Sequence, residues 1–458
     1  MSDLLTLSIA EAGRQVRAGQ TGFVALVQAC LDREQQTRGL NAWTELYAEQ
    51  ALALAAAYQT LLDNGVDLGP LHGIPLGLKA NIDIAGKEMH AGSKLLQGNI
   101  ADRDAVISQR LKQAGAIILG CTNMHEFAWG GTTNNPHHGA CFNPWDRARI
   151  PAGSSGGSGV VAAVRSAFAT LGTDTGGSVR LPASMNGITG LRPGVGRIPT
   201  EGVFPLAWSM DTVGPLAPSS EDCALLYGVL SGEILQSLET PPHALRVGVI
   251  ADYSRGGLQP DIATAFEQTL AEFQLMGATL YDIEIDGLER AVDAQIIVDA
   301  AEPSAIHWPW LQTQPESYGE DVRALLYAGG SFTAVEYLQA QRYRTLLRTQ
   351  FLAAFRQVDV MVMPMLPFTA PLAGQETLMI GDNEESVLTG NMRFTCIPSL
   401  TAMPALSFPA GFDRQGLPIG MQLMGSDGSE QRLLQIAHHY QQRTTFHLQQ
   451  PPTGMETA

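Results

Sequence analysis

The sequence predicts an α/β protein built as one large domain, and three observations carry that reading. Helix-period segments and short strand-like apolar runs alternate along the chain, the pattern of helices packed on a sheet. Only 16% of the 458 residues are charged against 45% hydrophobic, which fits a chain large enough to bury a deep core. No repeat or low-complexity tract interrupts it, and the best candidate linker, about 233–243 with Pro241 and Pro242, is short.

The first segment, about 1–65, reads as helical. Asp3 stands where a secretory leader carries basic charge, and no sustained apolar run follows it. Ser8 and Glu11 have capping-box spacing. Phe23, Val24, Val27 and Cys30, then Ala51 to Leu62, recur at helical period. The second segment, about 66–232, opens with the apolar run Leu71 to Lys79, rich in Gly and Pro, which suits a buried strand ending at the lysine. Val106 to Leu111 turns helical and Ala116 to Leu119 is another buried strand. Residues 131–157 are dense in Gly, Pro, Asn and Ser, so a long loop is expected, and such a loop in a compact protein is usually functional. Gly159 to Phe168 follows as a small-residue helix, and Ala169 to Thr173 as a strand that delivers the loop Asp174 to Ser178. Beyond the linker, about 245–355, Arg246 to Ile250, Asp261 to Leu275 and Thr279 to Ile285 read as a βαβ unit added to the same sheet. A helical cover from about Leu288 to Phe355 completes that segment, and about 356–450 returns to sheet and helix.

Several function classes are disfavoured. With 45 acidic against 28 basic residues the net charge is −17, so the average field repels phosphate, and no run of Lys or Arg marks a nucleic-acid surface. Apolar runs such as Val358 to Met363 fall far short of the ~18 residues a membrane span needs, so a cytoplasmic protein is expected. Cys30, Cys121, Cys141, Cys223 and Cys396 are scattered without a CxxC pair and read as reduced core residues. His137-His138 and His438-His439 point apart within each pair with no acidic cluster converging on them, and His125-Glu126 lacks the second histidine of HExxH. Neither a metal nor a cofactor is expected.

Amide cleavage needs a nucleophile, a base, donors for the developing oxyanion and an acid for the leaving amine. Two Gly/Ser loops and Lys79 can supply all four. Glycines let backbone approach a ligand closely, which makes the N–H groups of Thr175, Gly176, Gly177 and Ser178 the candidates for an oxyanion hole. Gly153 to Gly157 also satisfies GxSxG, with Ser155 as nucleophile. That elbow requires a strand directly before the serine, whereas Arg147 to Gly153 contains a proline and lies in the long loop, which disfavours it.

Taken in order, Gly73-Ile-Pro75 to Lys79, Gly153-Ser154-Ser155-Gly156-Gly157-Ser158 and Gly172 to Arg180 resemble the amidase signature family. The likeness continues through Gly187 to Leu191, Asp211 to Pro215 and Ile397 to Phe412, so it covers nearly the whole chain. One Gly-rich loop matches by chance easily; three in order do not. The resemblance implies a central mixed β-sheet flanked by helices. It also implies that Ser178 is the acylated nucleophile, Ser154 a bridging serine on a cis peptide bond, and Lys79 the base. A bridging hydroxyl both donates and accepts, so it can pass a proton between Ser178 and Lys79. Burial beside Ile74, Leu76 and Leu78 would keep that lysine neutral. Ser155, Ser158, Asp174 and Arg180 fit the fixing of loop geometry through hydrogen bonds, or ordinary loop stabilisation. Met124, Phe127, Ala128, Trp129, Gly130 and Gly131 fall beside the family's acyl pocket, or pack in the core. Glu302, His307, Trp308 and Trp310 either shape an outer pocket or are structural. Two positions depart from the family: Ala80 where members usually carry Asp, and Ala152 where Gly is usual.

The activity expected on these grounds is hydrolysis of a linear amide-type C–N bond in an aryl or aliphatic amide or a carbamate (a urethanase). The expected partner is a small-molecule substrate, with no nucleic acid and no membrane, and the chain acts as a monomer or homodimer. The alternative is the glutamine-hydrolysing A subunit of a glutamyl-tRNA amidotransferase complex. Such subunits look as though they carry an acidic residue just before the position of Ile397-Pro398, whereas Asn391 to Cys396 contains Arg393, a cation that would repel the substrate's ammonium. A catalytically inactive scaffold would be expected to have lost a triad member, and all three are present.

Overall fold

Residues 4–452 are described by the computed structural model; Asp3, invoked above, lies outside them. In chain order the strands are β1 (Trp43–Leu46), β2 (Pro75–Lys79), β3 (Ile117–Thr122), β4 (Asn134–Asn135), β5 (Gly139–Ala140), β6 (Ala169–Asp174), β7 (Thr189–Arg192), β8 (Thr212–Ala217), β9 (Arg246–Val249), β10 (Thr279–Asp282), β11 (Val360–Pro364), β12 (Thr377–Ile380), β13 (Asn383–Ser386), β14 (Ala405–Phe412) and β15 (Pro418–Met424). Eleven of them form one sheet in the order β1-β3-β2-β6-β8-β7-β14-β15-β11-β9-β10, while β4–β5 and β12–β13 are separate ribbons. β2 runs parallel to β3 and β6, and β9 runs parallel to β10 and β11. The other neighbours in the sheet are antiparallel, so it is mixed. β2, β6 and β8 are buried at every position. Strands covered on both faces lose the apolar–polar alternation and read as continuous buried runs.

The α/β class, the single domain, the central mixed sheet and its flanking helices are as expected. The βαβ unit is present too: helix Pro260–Leu275 connects β9 to β10, which pair in parallel at the sheet edge. Helices Ala291–Thr313, Glu320–Gly329 and Ala334–Ala354 make the cover. Differences lie where local composition misleads. β1 interrupts the expected helical region between Phe23–Thr37 and Ala48–Asp63; four residues are too few to show a strand period beside two helices. The small-residue helix is Gly156–Ala163, so it starts inside the GSSGG run. Gly157 is needed there, because a Cβ would stand 2.3 Å from the Asn123 carbonyl oxygen. Half of the capping box forms: Ser8 Oγ accepts from Glu11 N at 3.2 Å, while the Glu11 carboxylate turns to Gln15 and Arg14. All five cysteines are buried and free. Among the described residues no helix is long and apolar enough to cross a membrane.

Candidate active site

Neighbouring parallel strands deliver the first two groups. Lys79 ends β2 and Thr173 stands near the end of β6, on the strand-end side where α/β sheets hold ligands. Lys79 Nζ donates to Ser154 Oγ at 2.7 Å and to Thr173 Oγ1 at 2.8 Å. Its side chain is fully buried. Burial pushes the ammonium down to about 7, against the pull of Asp174 and Asp211. The Gly153–Ser154 peptide bond is cis. A Cβ on Gly153 would stand 2.6 Å from the Gly130 carbonyl oxygen, so glycine is required at this crossing. Ala152, where the family usually carries Gly, has φ 62°, a left-handed conformation that glycine adopts without penalty.

Ser178 is half-buried just before the cap of the next helix, Arg180–Asn186. Among the described residues nothing hydrogen-bonds its Oγ, so the Lys79–Ser154 contact is formed and the Ser154–Ser178 contact is not. Catalytic hydrogen bonds are often long before substrate binds.

One carboxylate organises the loop. Asp174 accepts from the N–H groups of Gly177 at 3.0 Å, Val179 at 3.1 Å and Arg180 at 3.3 Å. It is clamped by Arg180 (Nε 3.0 Å, Nη2 2.9 Å) and by Arg192 Nη1 at 2.9 Å. Burial alone would raise its pKa, yet the two guanidiniums hold it below the usual carboxylate range, while burial pushes Arg192 down to about 10. Arg180 also donates to Thr395 O at 3.1 Å, Ser399 Oγ at 2.9 Å and Gln422 Oε1 at 2.7 Å. The bond from Gly177 corrects one expectation: its N–H is already committed to Asp174 and is not a free oxyanion donor. The N–H groups of Gly176 and Ser178 make no hydrogen bond among the described residues. Thr175 is anchored through its hydroxyl, which donates to Asp211 Oδ1 at 2.6 Å. Burial raises Asp211 to about 6.

Removing one member of a buried, hydrogen-bonded ion cluster strands the others. Arg180→Met is therefore expected to destabilise the protein by roughly 3 kcal/mol in chemical denaturation, with Arg192 still partly neutralising Asp174.

Ser155 and Ser158 lace helix Gly156–Ala163 to β6: Ser155 Oγ donates to Thr173 O at 3.2 Å, and Ser158 Oγ donates to Leu171 O at 3.1 Å. No strand leads into Ser155, so the elbow geometry is absent. Gly130 and Gly131 lie beside the Gly153–Ser154 bond. Trp129 is half-buried, whereas Met124 and Ala128 are buried in the main core. Phe127 packs among Phe204, His307 and Tyr318 beneath the helical cover. His137 and His125 pair with Glu126 and Asp321. Glu302 holds Ser209 and Tyr337, Trp310 stacks on Phe204, and Trp308 is exposed.

Four contributors escaped sequence reasoning. Thr173 had a signal, its place directly before Asp174 on a strand beside the one ending in Lys79. Arg192 follows the Gly187 to Leu191 motif by one residue. Gln295 and Asp299, which overlie Gly176, had no local signal.

The amidase family model matches residues 25–434. The A subunit of the glutamyl-tRNA(Gln) amidotransferase of Ralstonia nicotianae is 36% identical, the alignment covering 98% of this chain and 99% of the relative. The same-named protein of Thermosynechococcus vestitus is 33% identical, covering 97% and 99%. A crystal structure described as an amidase superposes with a TM-score of 0.91 at 33% identity, over 95% of this chain and 100% of that one.

These relatives overturn the expectation of a stand-alone hydrolase of aryl or aliphatic amides or carbamates, and favour its amidotransferase alternative. The physical error lies in Arg393. Its guanidinium donates to the carbonyls of Tyr253 at 3.1 Å, Gly256 at 2.7 Å and Gly257 at 3.1 Å and covers the Phe394 ring, so the cation is turned onto its own chain and screened by those carbonyls instead of standing free to repel an ammonium. The expectation of a monomer or homodimer with a small-molecule substrate and no nucleic acid is corrected on the same finding, because the relatives are named as one subunit of an enzyme acting on a tRNA. Net charge argues only against direct phosphate contact by this chain, and a subunit can serve such an assembly without making one.

Proposed function

This chain belongs to the amidase family, hydrolases of C–N bonds, and we propose that it releases ammonia from glutamine as the A subunit of a glutamyl-tRNA(Gln) amidotransferase. The end-to-end similarity to A subunits carries this reading. The chemistry runs through the loop already described. Ser178 Oγ attacks the side-chain carboxamide carbon while its proton passes to Ser154 Oγ, whose own proton moves to neutral Lys79. The carbonyl oxygen, now negative, is held by the N–H groups of Gly176 and Ser178. Collapse of the tetrahedral intermediate breaks the C–N bond; the relay returns the proton, ammonia leaves, and a glutamyl ester remains on Ser178. Water then attacks that ester by the same relay and releases glutamate. Gly130 and Gly131, beside Ser154, leave room for the acyl chain. In the assembled enzyme the ammonia passes to glutamyl-tRNA(Gln) through partner subunits.

The test is ammonia release from L-glutamine by the chain purified from its own cells with its bound subunits, followed with and without glutamyl-tRNA(Gln) and ATP, the nucleotide activating the acceptor carboxylate so that its oxygen leaves as phosphate. Ammonia release together with formation of glutaminyl-tRNA is the expected result. A complex that leaves glutamine intact would sink the proposal.

A further inference from the structure

Helix Ala291–Thr313 lies over the loop that carries the proposed oxyanion donors. Gln295 and Asp299, one turn apart, face Gly176: a Cβ there would stand 2.0 Å from Gln295 Nε2 and 3.1 Å from Asp299 Oδ2. Gln295 Nε2 donates to Asp299 Oδ2 at 2.8 Å. That leaves Gln295 Oε1 and Asp299 Oδ1, both shut off from solvent and neither with a hydrogen-bond partner among the described residues. The Gln295 residue as a whole is 1% exposed. Asn391 Oδ1 is a further open acceptor of this kind, on a side chain whose Nδ2 would sit 3.1 Å from a Cβ on Gly131. Buried polar groups are nearly always satisfied, so open ones gathered at a reaction loop mark where a ligand supplies the missing partners. The two open atoms over Gly176 are oxygens, and with Asp299 ionised both only accept, so a ligand that satisfies them brings donors. Beside a carboxylate the best donor is a cationic N–H group, which makes a charge-assisted bond.

We propose that Gln295 and Asp299 recognise the amino group of the substrate and hold it over Gly176. The inference rests on the reading that the substrate is an amide carrying an ammonium, as glutamine does. Burial raises Asp299 to about 7; Asp211 and Glu302 add to the rise, and Gln295 and Arg192 oppose it. Among the described residues no cationic side chain forms an ion pair with Asp299, and a bound ammonium supplies one.

The test uses two fluorophosphonates of equal length, one ending in a primary ammonium and one in a neutral hydroxyl, and reads the ratio of their labelling rates on the full chain. A ratio of about ten or more is expected for the wild type, falling toward one in Asp299→Asn and falling also in Gln295→Leu. A fold defect slows both probes together, so the ratio isolates recognition. A wild-type ratio near one, or one that Asp299→Asn leaves unchanged, overturns the inference and assigns the open acceptors to water or packing. A clear preference for the ammonium probe without glutamine turnover by the complex keeps this site and refutes the glutamine reading. Glutamine turnover without that preference does the reverse.

Discussion

Ser178→Ala is expected to lower the rate of ammonia release by about 10⁵- to 10⁶-fold and to abolish covalent labelling of the chain. The expectation follows from access. Ser154 and Ser155 are fully buried, the first held by Lys79 and the second by the Thr173 backbone, whereas Ser178 is half-buried with an uncommitted hydroxyl. Without that oxygen no acyl-enzyme forms, and what survives is the contribution of binding and the oxyanion donors to direct attack by water. Intact-mass measurement after fluorophosphonate treatment gives the check: one adduct on the wild type and none on the variant. An adduct mapped to Ser155 would restore the elbow reading.

Lys79 governs the second large effect. A charged lysine cannot accept the relayed proton, so activity follows the neutral fraction. With the ammonium pushed down to about 7 by burial, kcat/KM is expected to climb close to tenfold per pH unit below that value and to level off above it. Lys79→Ala should cost about 10²- to 10⁴-fold and remove the climb. Asp211, raised to about 6, titrates on the acidic side of the same range and holds Thr175 beside the loop. The comparison of profiles between wild type and variant separates the two groups. A climb that persists in Lys79→Ala would move the base elsewhere.

Much of this site is legible in the amino-acid order alone, for a local reason. Lys79, Ser154 and Ser178 each sit in a Gly-rich run whose glycines mark positions where backbone meets backbone, as at Gly153 against Gly130. Glycine spacing is a record of close approach, and close approach builds the site. β2 is equally legible, because Pro75–Lys79, buried at every position, is a short apolar run up to its closing lysine. What stays hidden is geometry with no local footprint. Gln295 and Asp299 belong to a helix more than a hundred residues downstream, and their i, i+4 spacing looks like any helix face. Arg393 shows the converse failure, a correct residue type at a suggestive position whose side chain is engaged by the carbonyls of Tyr253, Gly256 and Gly257. The commitment of the Gly177 N–H to Asp174 is likewise invisible, since the motif names the residues and not which donors are already used.

The reach of Arg180 sets a timetable for biosynthesis. A ribosome delivers Asp174, Ser178 and Arg180 long before Thr395, Ser399 and Gln422, from which Arg180 is separated by 215, 219 and 242 positions. Until those residues emerge and β14 and β15 dock against the middle of the sheet, the guanidinium that braces the reactive loop has only Asp174 to hold. Nascent chains arrested before about residue 425 should therefore be inert, and activity should switch on late and abruptly, as the last strands close over a loop translated early.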